Sequence, residues 1–179
     1  MIGMLRISNK RVFGMRASVS INFVILTVLF LPIEANSTGI DLHWLWDNSC
    51  AECHGHSGNF SRKFLTISNG QLQGVHHVNN LRLFLHNHYL MVSEVDGIYE
   101  MLLAQAGTST RFKNECSRCH GKTAQFVRDS MIFQNKELMS LKFGDPVRRF
   151  MEHHRRLKTD DIEFFMNLLT RVANEVYRP

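Results

Sequence analysis

Two five-residue segments constrain this chain more than anything else in it: Cys50-Ala51-Glu52-Cys53-His54 and Cys116-Ser117-Arg118-Cys119-His120. They hold all four cysteines, so no thiol is left over. Cys-x-x-Cys-His is the attachment signature of haem c. Two thiols three residues apart add across the two vinyl groups of one porphyrin, and the next histidine is carried under the ring as an axial ligand to iron. The pattern therefore implies two haem c groups, one on Cys50, Cys53 and His54, the other on Cys116, Cys119 and His120.

Other uses of paired cysteines fit less well. A zinc ribbon spaces its pairs by roughly 15–20 residues, whereas here Cys53 and Cys116 are 63 apart. Disulfide stapling of a secreted chain does not call for two vicinal pairs, each trailed by a histidine. A thioredoxin-like redox pair expects one motif among alternating strands and helices, not two in a helix-like sequence.

The amino terminus has the three parts of a secretory signal peptide. Arg6, Lys10, Arg11 and Arg16 are followed by an apolar run from Ile21 to Ile33 and a small-residue zone with Ala35 and Ser37. The run is shorter than the roughly 20 residues that span a bilayer, and Asn22 and Pro32 interrupt it. An uncleaved anchor is the alternative. Cleavage after Ala35 removes four cations and Glu34, so the formal charge of +5 falls to +2 and carries little information about partners. Haem is attached outside the cytoplasm, so leader and motifs agree on a periplasmic protein.

Sliding the chain on itself by 66 residues without gaps aligns more than the cysteines. Gly55 meets Gly121, Phe60 meets Phe126, Arg62 meets Arg128, Leu72 meets Leu138, Arg82 meets Arg148, Phe84 meets Phe150, His88 meets His154, and Leu102-Leu103 meets Leu168-Leu169. Self-similarity at a fixed offset is the mark of a repeated structural unit. The expected fold is mainly α: two small helical haem c-binding lobes related by an internal repeat of about 66 residues. Residues 1–35 are the signal peptide, 36–106 the N-terminal lobe and 107–179 the C-terminal lobe. Gln105 to Glu115 reads as the linker. Lobes of this size seldom build a sufficient core alone, so the apo-protein is expected to fold poorly.

The sixth coordination position decides whether a haem moves electrons, binds a gas or does chemistry. Outside the motifs, His88 and His154 are the only histidines that superpose, and no two methionines do. In the second copy Asp145-Pro146 reads as a helix start, and Val147, Phe150, Met151 and His154 then share one helical face. In the first, Asn79 or Asn80 caps a stripe of Leu81, Phe84, Leu85 and His88. His88 and His154 are thus the expected distal ligands. His153, His76, His77 and His86 compete with them, and Met91, Met101, Met131, Met139, Met151 and Met166 are rivals of another type. Ser93-Glu94 and Thr159-Asp160 each start a further amphipathic helix. Trp44 and Trp46 read as haem-packing residues.

The paired haem motifs, the segment Phe150-Met151-Glu152-His153-His154-Arg155-Arg156-Leu157 and the helix through Phe164, Phe165 and Leu169 resemble the small soluble dihaem cytochrome c family of bacterial periplasms, from about Asp41 onward. The resemblance implies a two-lobed electron carrier with two bis-histidine haems. It also implies redox partners of two kinds, a small oxygen-binding haem protein and a membrane cytochrome b, with no nucleic acid and no membrane span after leader removal. With both axial positions filled, no enzyme activity is expected. Histidine in place of methionine lowers the potential. The other classes are a dihaem enzyme or gas sensor with one open iron, and a methionine-ligated two-domain carrier.

Overall fold

The computed structural model describes residues 39–75 and 80–178. The expected signal peptide, His76, His77 and Asn79 lie outside them. The described residues are mainly helical, and they belong to one compact unit, Ser37–Pro179.

The first half opens with α1 (Leu42–Ser49), α2 (Ala51–His54) and α3 (Ser57–Phe64). A hairpin of β1 (Leu65–Ser68) and β2 (Gln71–Gly74) follows, then α4 (Leu81–His86) and α5 (Val92–Gly107). The second half runs α6 (Arg111–Glu115), α7 (Ser117–His120) and α8 (Thr123–Ser130), the hairpin β3 (Met131–Gln134) with β4 (Glu137–Ser140), then α9 (Val147–His153) and α10 (Thr159–Val176). The same succession of element types thus occurs over 42–107 and over 111–176.

Two separate buried clusters lie inside. Leu42, Trp46, Leu72, Ile98, Met101 and Leu102 anchor one; Phe112, Val127, Leu138, Phe165, Leu169 and Val172 anchor the other. In each, the long last helix supplies more of the buried side chains than any other element, as its apolar periodicity requires. Tyr99 on α5 also fixes the first hairpin, its hydroxyl accepting the Leu72 N–H at 3.0 Å.

The hairpins are absent from the helical reading of the sequence. Their turns are Asn69-Gly70 (φ 50° and 74°) and Asn135-Lys136 (φ 51° and 66°). Two consecutive positive φ values define the type I′ turn, for which Asn-Gly is a strong short-range signal. Strand pairing is antiparallel, with Ile67 opposite Leu72 and Phe133 opposite Leu138.

Helix boundaries differ from expectation at two places. Gln105 to Gly107 belong to α5, which ends where the Thr108 hydroxyl donates to the Ala104 carbonyl at 2.6 Å, and α6 begins at Arg111. The expected linker shrinks to Thr108–Thr110 because Gln105 is buried on the helix's packed face. The N-cap of α9 is Pro146, not Asp145, whose side chain gives no cap. The Asp145 carbonyl accepts the Ser140 N–H at 2.9 Å, tying that residue to the end of β4 instead. Asn80 does cap α4, accepting the Leu83 N–H at 3.1 Å. α5 and α10 start one residue before Ser93 and at Thr159; Glu94 and Asp161 reach back to the N–H of Met91 (2.8 Å) and Lys158 (3.1 Å).

Candidate functional site

Each Cys-x-x-Cys-His segment is a single helical turn, and the two copies share one backbone. Cys50 precedes α2 at φ −121°, ψ −30°, and Cys116 precedes α7 at φ −118°, ψ −31°. The His54 N–H donates to the Cys50 carbonyl at 2.9 Å, and the His120 N–H to the Cys116 carbonyl at 3.1 Å. In such a turn residues i, i+3 and i+4 share a face, so both thiols and the histidine point the same way. Gly55 and Gly121, both at φ 67°, end the turns in the left-handed region where a side chain is strained.

All four thiols are free, and among the described residues no group of three or more His, Cys, Asp or Glu side chains converges as a metal site. Burial, aided by Glu94, pushes the Cys50 thiol up. Burial and Glu115 push Cys116 up against the opposing effect of Arg155 and Arg111. Neither has the depressed thiol pKa of a redox-active pair.

Facing each motif histidine is the histidine 34 residues on. The His54 and His88 ring centroids are 6.0 Å apart with planes at 58°, and those of His120 and His154 are 5.9 Å apart at 61°. Burial and then the facing ring lower the pKa of His54 and of His120 alike, Arg155 adding to the effect on His120. His88 and His154 follow the ends of α4 and α9, held by N–H bonds to the carbonyls of Leu85 and Met151, both 3.1 Å. The stripes that lead to them are buried at Leu81, Leu85, Val147 and Met151.

Four phenylalanines complete the pair of sites. Phe60 meets His54 edge-on at 4.7 Å and Phe126 meets His120 at 4.2 Å. Phe84 stacks on His88 at 4.8 Å and Phe150 on His154 at 4.9 Å, each 44% exposed. Their correspondence at the 66-residue offset was the available signal for this role.

The other described histidines, and the rival methionines Met91, Met101, Met131, Met151 and Met166, are exposed, bonded elsewhere or part of the core. His153 is exposed and sits 3.3 Å from the Arg149 carbonyl, His56 accepts the Gly58 N–H at 3.2 Å, and His43 pairs with Glu175 at 2.8 Å. His86 is exposed. Met101, Met131, Met151 and Met166 are core residues and Met91 is 64% exposed. Of the two tryptophans, Trp46 is buried beside His54 and Phe60, at 6.1 and 5.3 Å, with its indole N–H on the Gly55 carbonyl at 2.8 Å. Trp44 is 60% exposed on the outer face of α1 and does not pack there, contrary to the sequence expectation.

The donor set fits a haem c at each position. Metal–imidazole bonds of about 2 Å, with about 1 Å more from nitrogen to ring centre, put two imidazoles on opposite sides of one iron about 6 Å apart. Both observed separations meet that value, and each opposing pair has a thiol turn on one side and an exposed phenylalanine on the other. No known protein family, curated protein or solved structure matches the chain.

Proposed function

We propose that this protein is a periplasmic dihaem c-type cytochrome that carries single electrons at low potential. The observation that carries the reading is the pair of facing histidines, each approached by a Cys-x-x-Cys turn. Cys50, Cys53, His54 and His88 would hold one haem c; Cys116, Cys119, His120 and His154 would hold the other. The recurrence of one succession of elements supports a duplicated unit with one haem per lobe.

A haem c bound in this way supplies a one-electron Fe(III)/Fe(II) couple. The chain's residues determine what it can do. With His54 and His88, and His120 and His154, as the ligands, no position would be left for oxygen, peroxide or carbon monoxide, which favours transfer over catalysis. Imidazole in place of thioether also removes the ligand that raises the potential. Phe84 and Phe150 offer apolar walls against the distal imidazoles, and their exposure puts that edge where a redox partner can approach. An oxygen-binding haem protein and a membrane cytochrome b, implied by the family resemblance, are the proposed partner classes.

Absorption and low-temperature electron paramagnetic resonance of the oxidised protein, produced with a haem c maturation system, test this reading. Two low-spin signals without a sulfur-to-iron charge-transfer band are expected. A high-spin signal would mean an open iron and a gas- or peroxide-binding role, and a sulfur-to-iron band would mean methionine ligation.

A further inference from the structure

A cavity of about 740 Å³ is lined by residues of both halves; none of the four cysteines or four facing histidines lines it, though Ser117 and Gly121 of the second cysteine turn reach its edge. Its residues fall into pairs at the 66-residue offset: Arg62 with Arg128, Gln105 with Arg171, His56 with Lys122. It therefore sits where the two copies of the unit meet, floored by Phe112 and Leu168.

The charges in it do not balance. Arg128 holds Asp41 and Arg171 holds Glu175. The position that corresponds to Asp41 at the offset is Gly107, so Arg62 has no carboxylate across from it. Its hydrogen bond is to the Gln105 backbone carbonyl, at 3.3 Å. Among the described residues Arg62, Lys113 and Lys122 make no ion pair, and Asp47 is the acid that lines the cavity with them. Burial lowers the Arg62 pKa with no acid to offset it.

Gln105 supplies a second, independent observation. The residue is 7% exposed, it lines the cavity, and its side-chain oxygen is buried without a hydrogen-bond partner. Buried amides without partners are rare and costly. The orphaned oxygen is an acceptor, but the amide O and N positions interchange by a flip, and the flipped amide donates its NH₂ to an oxyanion beside a guanidinium that lacks its counter-ion. A cavity of this size matches a small organic ligand better than a single ion.

We propose that this cavity is a binding site for a small polyanion bearing two or more phosphate or carboxylate groups, held by the Arg62 fork and the Gln105 amide, with Lys113 and Lys122 also lining it. Because the ligand touches both halves, it ties them together and stabilises the folded chain by mass action.

The test uses the mature haem-loaded chain, titrated calorimetrically with inorganic pyrophosphate and with citrate at ionic strength held constant by sodium chloride. One saturable site for at least one probe is expected, with a rise in Tm. Binding of pyrophosphate alone identifies a phosphate ligand, and binding of citrate alone a carboxylate ligand. Arg62→Gln should weaken binding about tenfold or more, as loss of a charge-assisted hydrogen bond does. Arg62→Lys should recover part of it, and Lys142→Ala, on exposed surface outside the cavity, should change nothing. Amide shifts at Gly58 and Gly121 in the unsubstituted protein locate the ligand without any variant. Absence of saturable binding by both probes, or equal weakening by Arg62→Gln and Lys142→Ala, overturns the proposal. The ligation spectrum of the protein without added anion judges the electron-carrier reading by itself, so failure here is distinct from failure of that reading.

Discussion

Arg128 of the second half closes on the carboxylate of Asp41 in the first, Nε to Oδ2 at 2.5 Å and Nη2 to Oδ1 at 3.1 Å. The same carboxylate caps α1, accepting the N–H groups of His43 and Trp44 at 2.9 Å. Burial alone would raise the Asp41 pKa, but the bond from Arg128 and the cap bond from Trp44 outweigh it, and the pKa lies below the usual value. A depressed carboxylate contributes stability that is complete above its unfolded pKa, about 3.9, and is lost as pH falls through the lower folded value. Asp41→Asn keeps a good cap and removes the ion pair. It should cost about 1 kcal/mol at pH 7 and nothing once the pH is below the folded pKa. Asp41→Ala should cost about 1 kcal/mol more at pH 7 through loss of the cap. Urea midpoints at pH 7 and in strong acid check both.

The candidate site was the most legible part of this molecule because its chemistry dictates spacing. A porphyrin needs two thiols and a histidine on one helical turn, so Cys50, Cys53 and His54 announce themselves locally, and the offset of 66 then singles out His88 and His154. Details decided by tertiary contact were less visible. Trp44 and Trp46 are two residues apart and equally apolar, yet they lie on different faces of α1, and only Trp46 finds the core and the Gly55 carbonyl. Asp145 carries a capping side chain, but its backbone is committed to β4. The hairpins were less legible because their strands are only four residues long, too short for a clear period, which leaves the Asn69-Gly70 turn as the decisive signal. The second turn carries Lys136 in place of glycine and weakens the same signal.

That second turn carries an avoidable strain. Lys136 holds φ 66° where Gly70 holds 74°, and a side chain in the left-handed region costs roughly 1–2 kcal/mol, part of which glycine returns through its freer unfolded state. Lys136→Gly should raise the unfolding free energy by about 1 kcal/mol with an unchanged denaturant slope, and Gly70→Lys should lower it by a similar amount. Equal urea midpoints for Lys136→Gly and the parent would show that the turn relaxes without glycine.

Trp46 and Trp44 should separate sharply on substitution. Trp46 is 3% exposed and its indole N–H bonds the carbonyl of Gly55, the residue that ends the first cysteine turn. Trp46→Phe leaves that carbonyl without its donor and opens space beside Phe60. It should cost about 1–3 kcal/mol and loosen the turn that presents His54. Trp44→Phe, at an exposed position, should stay within about 0.5 kcal/mol. Thermal unfolding of the two variants side by side measures the difference.

The adjacent pair His153-His154 allows the sharpest test of the ligand assignment. The two side chains differ in place: the His154 ring stands 5.9 Å from His120 and is stacked by Phe150, whereas the exposed His153 lies against the Arg149 carbonyl. In haem-loaded protein, His154→Ala should turn one of the two low-spin signals high-spin and open that iron to carbon monoxide, the other remaining as it was. His88→Ala should do the same to the other haem, so the two variants divide the spectrum between them. His153→Ala should leave both signals intact. If His153 were the ligand instead, its substitution would produce the high-spin signal. The ring would then have to leave the exposed face of α9 and displace His154 and Phe150 from their stack, a rearrangement that the short, Pro146-capped helix and the buried Val147 and Met151 oppose.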